Sequence, residues 1–338
     1  MNRRLPLAAL LLAPCLAPGW TGCGPSGPGP YPLDDVLRLD HLQALGTHNS
    51  THVETYELPA WDYTHLPLGE QLELQGVRQF ELDLNWLPAE HRFEVYHLTT
   101  VDEGTTCRVF TDCLGAQKDW SDRHPGHHPL FTLLELKAEF DPATIGALLD
   151  DVEAQLRSVW PEERLLRPDD VTGGVGELRE AVETRGWPTL GELRGRAMYV
   201  LLEGGEYRAA YTQGDTTTAG RLMFPNCGGD LGPPICAVHN VNDPETGGAT
   251  IAAAVAAGHL VRTRADADGE EARAGDVTKR DAAFASGAQF VSTDYPAERE
   301  DVDYVVRVPG GTPSRCNPVT APAGCSPQDI EDPARLAR

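Results

Sequence analysis

Four polar motifs in the sequence each stand at the end of an apolar stretch, where side chains able to do chemistry are otherwise rare. In chain order they are His48-Asn49-Ser50, Glu81-Leu82-Asp83, His97 and Glu135-Leu136-Lys137. Histidines transfer protons near neutral pH, and carboxylates bind metal ions or act as bases. Two acids on one face of an apolar strand cost free energy unless a cation pairs with them. The motifs therefore predict one polar site that combines proton transfer with cation binding.

Oxygen atoms dominate the donor groups of these motifs. Asn49 offers an amide oxygen, and Glu81, Asp83 and Glu135 offer three carboxylates. Hard oxygen ligands suit Ca²⁺ or Mg²⁺, and an exported protein meets Ca²⁺ readily. We expect these four residues to bind Ca²⁺, with Mg²⁺ as the less favoured alternative.

The two histidines and the lysine complete the expected site. His48 and His97 are expected to act as a proton-transfer pair, and Lys137 to lie against a phosphate. Each residue taken alone also fits a structural role. His48 would then belong to a loop before a helix cap, and Lys137 would form an ion pair with Glu135 or Glu139. A coincidence of four such motifs in one chain is much less favoured.

The elements that must position these residues alternate between short apolar stretches and helical patterns. This alternation predicts parallel strands, and about eight of them over about 260 residues suit a closed (β/α)₈ TIM barrel, whose strand ends converge on one pocket. An open doubly wound sheet is the alternative. The expected strands are Leu42–Gly46, Gln79–Leu84, Phe93–His97, Phe131–Lys137, Ala197–Leu202, Ala237–Val241, His259–Arg264 and Gln289–Thr293. The expected helices are Pro67–Leu74, Asp141–Trp160, Thr189–Leu193, Thr250–Ala257 and Asp276–Ser286.

The first 22 residues have the features of an export signal. A basic start precedes an apolar stretch, Leu5–Leu16, that is too short for a transmembrane helix. Trp20-Thr21-Gly22-Cys23 resembles the lipidation motif of bacterial lipoproteins, in which Cys23 would carry the lipid. Residues 23–36 would then form a tether. We expect an exported bacterial lipoprotein at the periplasmic or outer surface, with plain secretion as the alternative.

Six cysteines remain once Cys15, in the signal, and Cys23 are set aside. They form three close pairs, and in an exported protein such pairs predict local disulfides. Zinc binding is the alternative, but none of the pairs has CxxC spacing. The pairs are Cys107 with Cys113, Cys227 with Cys236, and Cys316 with Cys325.

The charge of the chain is strongly acidic. The formal net charge of −23 becomes −25 without residues 1–22, which contain two arginines and no acid. This excess argues against nucleic acid as a partner and against adsorption to anionic lipid through a basic face. We expect a monomer, with most acids on a solvated surface and Asp102 on a solvated rim. The acidity permits a cation site, but the motifs are what predict it.

Taken together, the motifs resemble the X-region of the calcium-dependent phosphoinositide-specific phospholipases C. The likeness is greatest to the bacterial branch of that superfamily of PLC-like phosphodiesterase TIM barrels. Arg262-Thr263-Arg264-Ala265-Asp266 and Phe290-Val291-Ser292-Thr293-Asp294-Tyr295 extend the resemblance, which spans about Leu39 to Pro296. It implies that Asn49, Glu81, Asp83 and Glu135 are calcium ligands and that His48 and His97 are catalytic.

The resemblance also implies a reaction. The inositol 2-hydroxyl would attack the adjacent phosphorus, giving a cyclic inositol phosphate and diacylglycerol. His97 would protonate the leaving lipid alkoxide or stabilise the oxyanion, His48 would donate a hydrogen bond to a phosphoryl oxygen, and a calcium-bound carboxylate is a candidate base. Arg262 and Arg264 would contact phosphate or inositol hydroxyls, with ion pairs to neighbouring acids as the alternative. Asp294 is expected to make a structural hydrogen bond.

Two other functions stay open. Glu135-Leu136-Lys137 also resembles the glycerophosphodiester phosphodiesterases, although those normally begin with His-Arg-Gly where this chain has His48-Asn49-Ser50. A catalytically silent barrel that binds a phosphorylated or sugar ligand is the second alternative. The predicted organisation places a signal at 1–22, a tether at 23–36, a PLC-like barrel at 37–308 and a Pro-rich extension, stapled by one Cys pair, at 309–338.

Overall fold

The computed structural model describes residues 31–56, 58–311 and 313–336. A curled sheet of mostly parallel strands forms its centre, and helices lie between successive strands. The predicted signal at 1–22 and the predicted lipidation site Cys23 lie outside the described residues. In the part of the chain that is described, no helix is both long and apolar enough to span a membrane.

The strands are short and almost entirely buried, as parallel strands covered on both faces must be. They are β1 (Leu42–Thr47), β2 (Gln79–Leu87), β3 (Arg92–Val95), β4 (Leu130–Leu136), β5 (Leu165–Leu166), β6 (Ala197–Leu201), β7 (Phe224–Pro225), β8 (Val238–Asn240), β9 (Leu260–Arg264), β10 (Phe290–Thr293) and β11 (Ser314–Cys316). Their order in the sheet is β5-β6-β4-β2-β1-β10-β9-β8. β7 pairs with β6, and one parallel bridge joins Asn226 to Val238 of β8, so the sheet curls back toward itself.

The helices pack their apolar faces on this sheet. α3 shows the reason, because Leu148, Leu149, Val152 and Leu156 recur at helical spacing and are all buried. The helices are α1 (Leu68–Glu70), continued by a π-helical turn (Gln71–Gln75), α2 (Phe110–Arg123), α3 (Ile145–Val159), α4 (Pro168–Thr172), α5 (Leu178–Arg185), α6 (Leu190–Leu193), α7 (Gly205–Tyr211), α8 (Gly248–Ala256), α9 (Glu270–Ala274), α10 (Thr278–Ala285) and α11 (Pro327–Ile330).

The structure differs from the sequence-based strand assignments in two ways. Phe93–His97 was expected to be a parallel strand, but β3 pairs antiparallel with β2 and forms the second arm of a hairpin. The parallel strands that sequence patterns did not predict are β5 and β7, which have two residues each. A strand this short carries no periodicity, so its position depends on its neighbours in space.

Three disulfides confirm the predicted cysteine pairs. Cys107–Cys113 closes the segment that follows β3 onto the start of α2, and Cys227–Cys236 spans the connection from β7 to β8. Cys316–Cys325 joins β11 to the chain that leads to α11. Each bond therefore restrains a connection between elements.

Both ends of the described chain pack against the base of the sheet. β11 pairs antiparallel with the first half of β1. Glu331, which is fully buried, accepts hydrogen bonds from Arg78 at the start of β2. At the other end, Tyr31 is buried under Arg194, which also pairs with Asp34. The last six residues of the predicted tether, 31–36, are thus anchored to the fold.

We expect Glu331→Ala to lower the free energy of unfolding by about 3–5 kcal/mol, because it leaves the buried Arg78 guanidinium without its counter-ion. Urea unfolding followed by circular dichroism measures the loss. Glu298→Ala is the control, because its pair with Arg307 is largely exposed and should matter little. Equal losses for the two variants would contradict the prediction.

Candidate active site

Polar side chains from neighbouring strands meet at the carboxyl-terminal edge of the curled sheet. The parallel register puts Asp83 opposite Glu135, and Ser292 opposite Arg264. The predicted residues that the structure brings together here are His48, Asn49, Glu81, Asp83, Glu135, Lys137, Arg262 and Arg264. His97 reaches the same pocket from the segment after β3, where the charges of Lys137 and His48 act on its pKa.

His48 is held by an aspartate from the neighbouring strand end. Its Nδ1 lies 2.9 Å from Asp294 Oδ1, and Arg264 Nη2 donates to Asp294 Oδ2 at 3.0 Å. The backbone N–H of Asp294 donates to the buried carboxylate of Asp266. Burial acts to raise the pKa of Asp294, but His48 and Arg264 outweigh it and lower this pKa to about 2. An ionised carboxylate therefore orients His48.

These hydrogen bonds define the tautomer of His48. A carboxylate only accepts, so Nδ1 carries the proton that faces Asp294. Arg264 Nη1 lies 3.3 Å from Nε2, and a guanidinium only donates, so Nε2 presents a lone pair. His48 is arranged as a proton acceptor.

His97 is oriented in the same way by Asp102. Nδ1 of His97 lies 2.9 Å from Asp102 Oδ2, and His52 Nε2 lies 3.1 Å from the other oxygen. Trp61 packs its ring edge-to-face against His97, with centroids 5.5 Å apart. Burial lowers the pKa of His97, while the hydrogen bond to Asp102 acts against that shift. Two histidines of the pocket thus each direct Nδ1 to an aspartate.

The carboxylates of the pocket are paired with two cations. Lys137 Nζ lies 2.9 Å from Asp83 Oδ1 and 2.8 Å from Glu135 Oε1, so it bridges two strands. Arg262 Nη2 lies 2.5 Å from Glu81 Oε2. The Lys137–Asp83 and Arg262–Glu81 pairs join residues that are far apart in sequence, and they hold these two carboxylates in place.

Burial and neighbouring charges move the pKa values of these groups in opposite directions. Burial raises the pKa of Asp83 well above its usual range; Lys137 opposes the shift and Glu135 adds to it. Burial also acts to raise the pKa of Glu81, but Arg262 and other cations lower it overall. Asp83 is therefore the carboxylate that most needs a cation beside it.

The donor set fits a hard divalent cation in its chemistry. Asn49 has a left-handed φ of 41°, and its Nδ2 donates to the Tyr63 hydroxyl, so Oδ1 is the atom left for a cation. As the side chains stand, no three His, Cys, Asp or Glu residues in the described part of the chain converge on a metal position. Lys137 and Arg262 instead supply the two positive charges that one divalent ion would bring.

The arginines predicted to bind substrate are committed to protein partners. Arg262 is 1% exposed and also donates to Asn240 and Asn242. Arg264 contacts both His48 and Asp294. Both arginines form ion pairs, but with acids of other strands rather than with the acids that follow them in the sequence.

Asp102 is the functional residue that the sequence analysis misplaced. It was expected on a solvated rim, but it is 1% exposed and bonded to two histidines. Leu98 and Asp102 pair with each other and close a tight turn directly after His97. A spacing of five residues between a histidine and an aspartate, across a turn, is the signal that points to this contact.

Exposed apolar side chains lie on the two segments that contribute His97 and the Trp61 ring packed against it. They belong to the connection after β1 and to the turn after β3, two segments joined by a bridge between His52 and Thr105. We call this set the apolar rim. Its members are Tyr56, Leu58, Leu66, Leu98 and Val101.

A curled parallel sheet that carries two His–Asp pairs around paired carboxylates and cations is arranged for general acid–base catalysis. Comparison with known families specifies it further. The profile described as "Phosphoinositide phospholipase C, Ca2+-dependent" matches residues 87–318. The chain belongs to this family and is a phosphoric diester hydrolase of the phosphoinositide phospholipase C type. No curated protein sequence matches the chain.

Solved structures show the same fold. A calcium-dependent phosphoinositol-specific phospholipase C from a Gram-negative Pseudomonas species, in its apo form, superposes with a TM-score of 0.60 at 18% identity, over 84% of this chain and 97% of that one. A Ca²⁺-dependent phosphatidylinositol-specific phospholipase C from Streptomyces antibioticus gives 0.56 at 21% identity, over 77% and 96%.

Proposed function

We propose that the protein cleaves phosphatidylinositol-type lipids to diacylglycerol and a cyclic inositol phosphate in a calcium-dependent reaction. The observation that carries the proposal is the pair of histidines, each fixed by an aspartate at Nδ1, on either side of buried carboxylates and cations. General acid–base transfer to a phosphodiester needs one proton acceptor and one proton donor in fixed positions. Membership of the phosphoinositide phospholipase C family supports inositol as the head group of the substrate.

His48 is the base in this proposal. Its Nε2 takes the proton of the inositol 2-hydroxyl as that oxygen forms a bond to phosphorus, and Asp294 stabilises the imidazolium that results. Arg264 holds Asp294 in place behind the ring, and the attacking hydroxyl replaces Arg264 Nη1 as the partner of Nε2. The base role thus passes from a metal-bound carboxylate, the candidate taken from the sequence, to a histidine.

His97 is the acid. Its Nε2 gives a proton to the glycerol oxygen as the bond from that oxygen to phosphorus breaks, and Asp102 holds the ring in position. Burial lowers the pKa of His97, so the imidazolium needs a further negative charge nearby. The phosphate of the bound lipid brings that charge. The two proton transfers balance, since one proton leaves the attacking hydroxyl and one reaches the leaving alkoxide.

Asn49, Glu81, Asp83 and Glu135 are the residues that would hold calcium. The bound ion would supply positive charge against the phosphate oxygens and acidify the attacking hydroxyl. Arg262 keeps Glu81 ionised and oriented in the pocket.

The proposal extends to the surroundings of the site. The curled sheet is proposed to be the (β/α)₈ barrel of PLC-like phosphodiesterases, which the Asn226–Val238 bridge between β7 and β8 supports. The protein is proposed to be exported and anchored through a lipid on Cys23. The apolar rim would then contact the bilayer, because exposed apolar residues beside a pocket suit an acyl surface.

Incubating the purified protein with phosphatidylinositol vesicles, with and without Ca²⁺, tests the proposal, and ³¹P NMR identifies the products. We expect a cyclic inositol phosphate that appears only with Ca²⁺. Free sn-glycerol phosphate would instead indicate a glycerophosphodiester phosphodiesterase. Ligand binding without turnover in millimolar Ca²⁺ would indicate a silent barrel.

A further inference from the structure

Lys137 stands where positive charge is most needed in the pocket. Its ammonium bridges Asp83 and Glu135 at 2.9 and 2.8 Å, and both residues belong to the proposed calcium ligands. The Asp83 side chain is 3% exposed, so an ionised Asp83 without a neighbouring cation would be costly. An ammonium and a calcium ion cannot both contact the same two carboxylate oxygens at close range, because like charges repel.

The two cations of the pocket differ in their freedom to move. Arg262 is buried. One guanidinium nitrogen donates to Asn240 and Asn242 and the other to Glu81, so the group is held in place. Lys137 directly follows β4, and its side chain is 15% exposed. Its flexible four-carbon stem can carry the ammonium toward the open mouth without moving the strand.

We propose that Lys137 is a tethered counter-ion that holds the cation site closed until calcium displaces it. Before calcium binds, the ammonium pairs with both Asp83 and Glu135. When calcium binds, the ammonium swings out of the carboxylate pair and becomes free to pair with the phosphate of the substrate. The inference rests on the proposed calcium-dependent function and adds a competitor for the metal position.

This arrangement links the two ligands of the site. A calcium ion that releases Lys137 also supplies a cation for an anionic head group, so each ligand should strengthen binding of the other. The lysine lowers the affinity for calcium, because part of the binding free energy is used to break its two ion pairs. Removing the ammonium should therefore tighten calcium binding and abolish its coupling to the anion.

Isothermal titration of Ca²⁺ into the full chain, without lipid and at pH 8, tests the inference independently of turnover. We expect Lys137→Met to bind Ca²⁺ at least tenfold more tightly than the wild type. Lys137→Arg keeps the charge and should bind as weakly as the wild type. Lys118→Met is the matched control, because Lys118 pairs with Asp122 on the surface of α2.

A second measurement uses the unmutated protein and therefore does not depend on whether a variant folds. The lysines of the chain are Lys118, Lys137 and Lys279, so their ammonium groups can be followed individually by ¹H–¹⁵N NMR. We expect added Ca²⁺ to shift the Lys137 signal alone. Adding myo-inositol 1-phosphate should then shift it again, and this second shift should require Ca²⁺.

The outcomes separate this inference from the proposed function. Calcium binding by the wild type with an unmoved Lys137 signal, or equal affinity in a folded Lys137→Met, would overturn the inference and leave the proposed function standing. Absence of calcium binding in the wild type and in every variant would overturn the proposed calcium dependence and this inference with it.

Discussion

Replacing His48 with alanine is expected to lower kcat on phosphatidylinositol by about 10²–10⁴, the usual contribution of a positioned proton-transfer group. The reason is that Nε2 is the atom arranged to accept the proton of the attacking hydroxyl, with Asp294 and Arg264 fixing its tautomer. The KM and the unfolding temperature should change little, because the His48 side chain is partly exposed and fills no core position. Initial rates on vesicles with saturating Ca²⁺ provide the measurement.

Asp294→Asn tests whether the tautomer matters. An amide can donate to Nδ1 and would place the ring proton on Nε2, while the ring itself stays in place. We therefore expect kcat to fall by about 10²-fold or more. His41→Ala is the control, because His41 bonds to the backbone of Arg38 at the opposite end of β1. Full activity of His48→Ala would exclude His48 as the base and would return that role to a carboxylate.

The polar site could be predicted from sequence because its residues follow strands with strong signals. β1, β2 and β4 are largely apolar stretches that carry polar residues within them or directly after them, and parallel pairing forces these residues together. The predicted proximity of Asp83, Glu135 and Lys137 follows from that geometry alone. The residues that lie on turns were harder to predict, because a turn shows no period from which the direction of a side chain can be read.

The partners of the histidines show where sequence reasoning ended. Asp294 was placed correctly at the end of β10, yet its contact with His48 depends on the pairing of β1 with β10, which joins segments at opposite ends of the chain. The burial of Asp102 depends on the turn that contains it, whereas an acid near a cysteine pair is expected to lie on the surface. In both cases a charged residue is buried because it pairs with a histidine, and that pairing is a property of the fold.

Removing calcium is expected to lower kcat/KM on phosphatidylinositol by about 10³, since a metal ion beside a reacting phosphate contributes several kcal/mol to the transition state. Asp83→Asn should have a similar effect, because it removes the buried carboxylate that most needs a cation beside it. Glu139→Gln is the matched control, an exposed acid near the pocket that forms none of the ion pairs described above. Rates in excess EGTA, and again after Ca²⁺ is restored, provide the measurement.

The protein without calcium still contains two cations in the pocket, and this makes the experiment decisive. If Lys137 and Arg262 were sufficient to stabilise the phosphate, turnover would persist in excess chelator, and the calcium assignment would be wrong. We expect otherwise, because Arg262 is committed to Glu81 and Lys137 to Asp83 and Glu135. The carboxylates already neutralise the charges of Lys137 and Arg262. These two cations therefore leave little positive potential for a phosphate unless calcium binds the carboxylates.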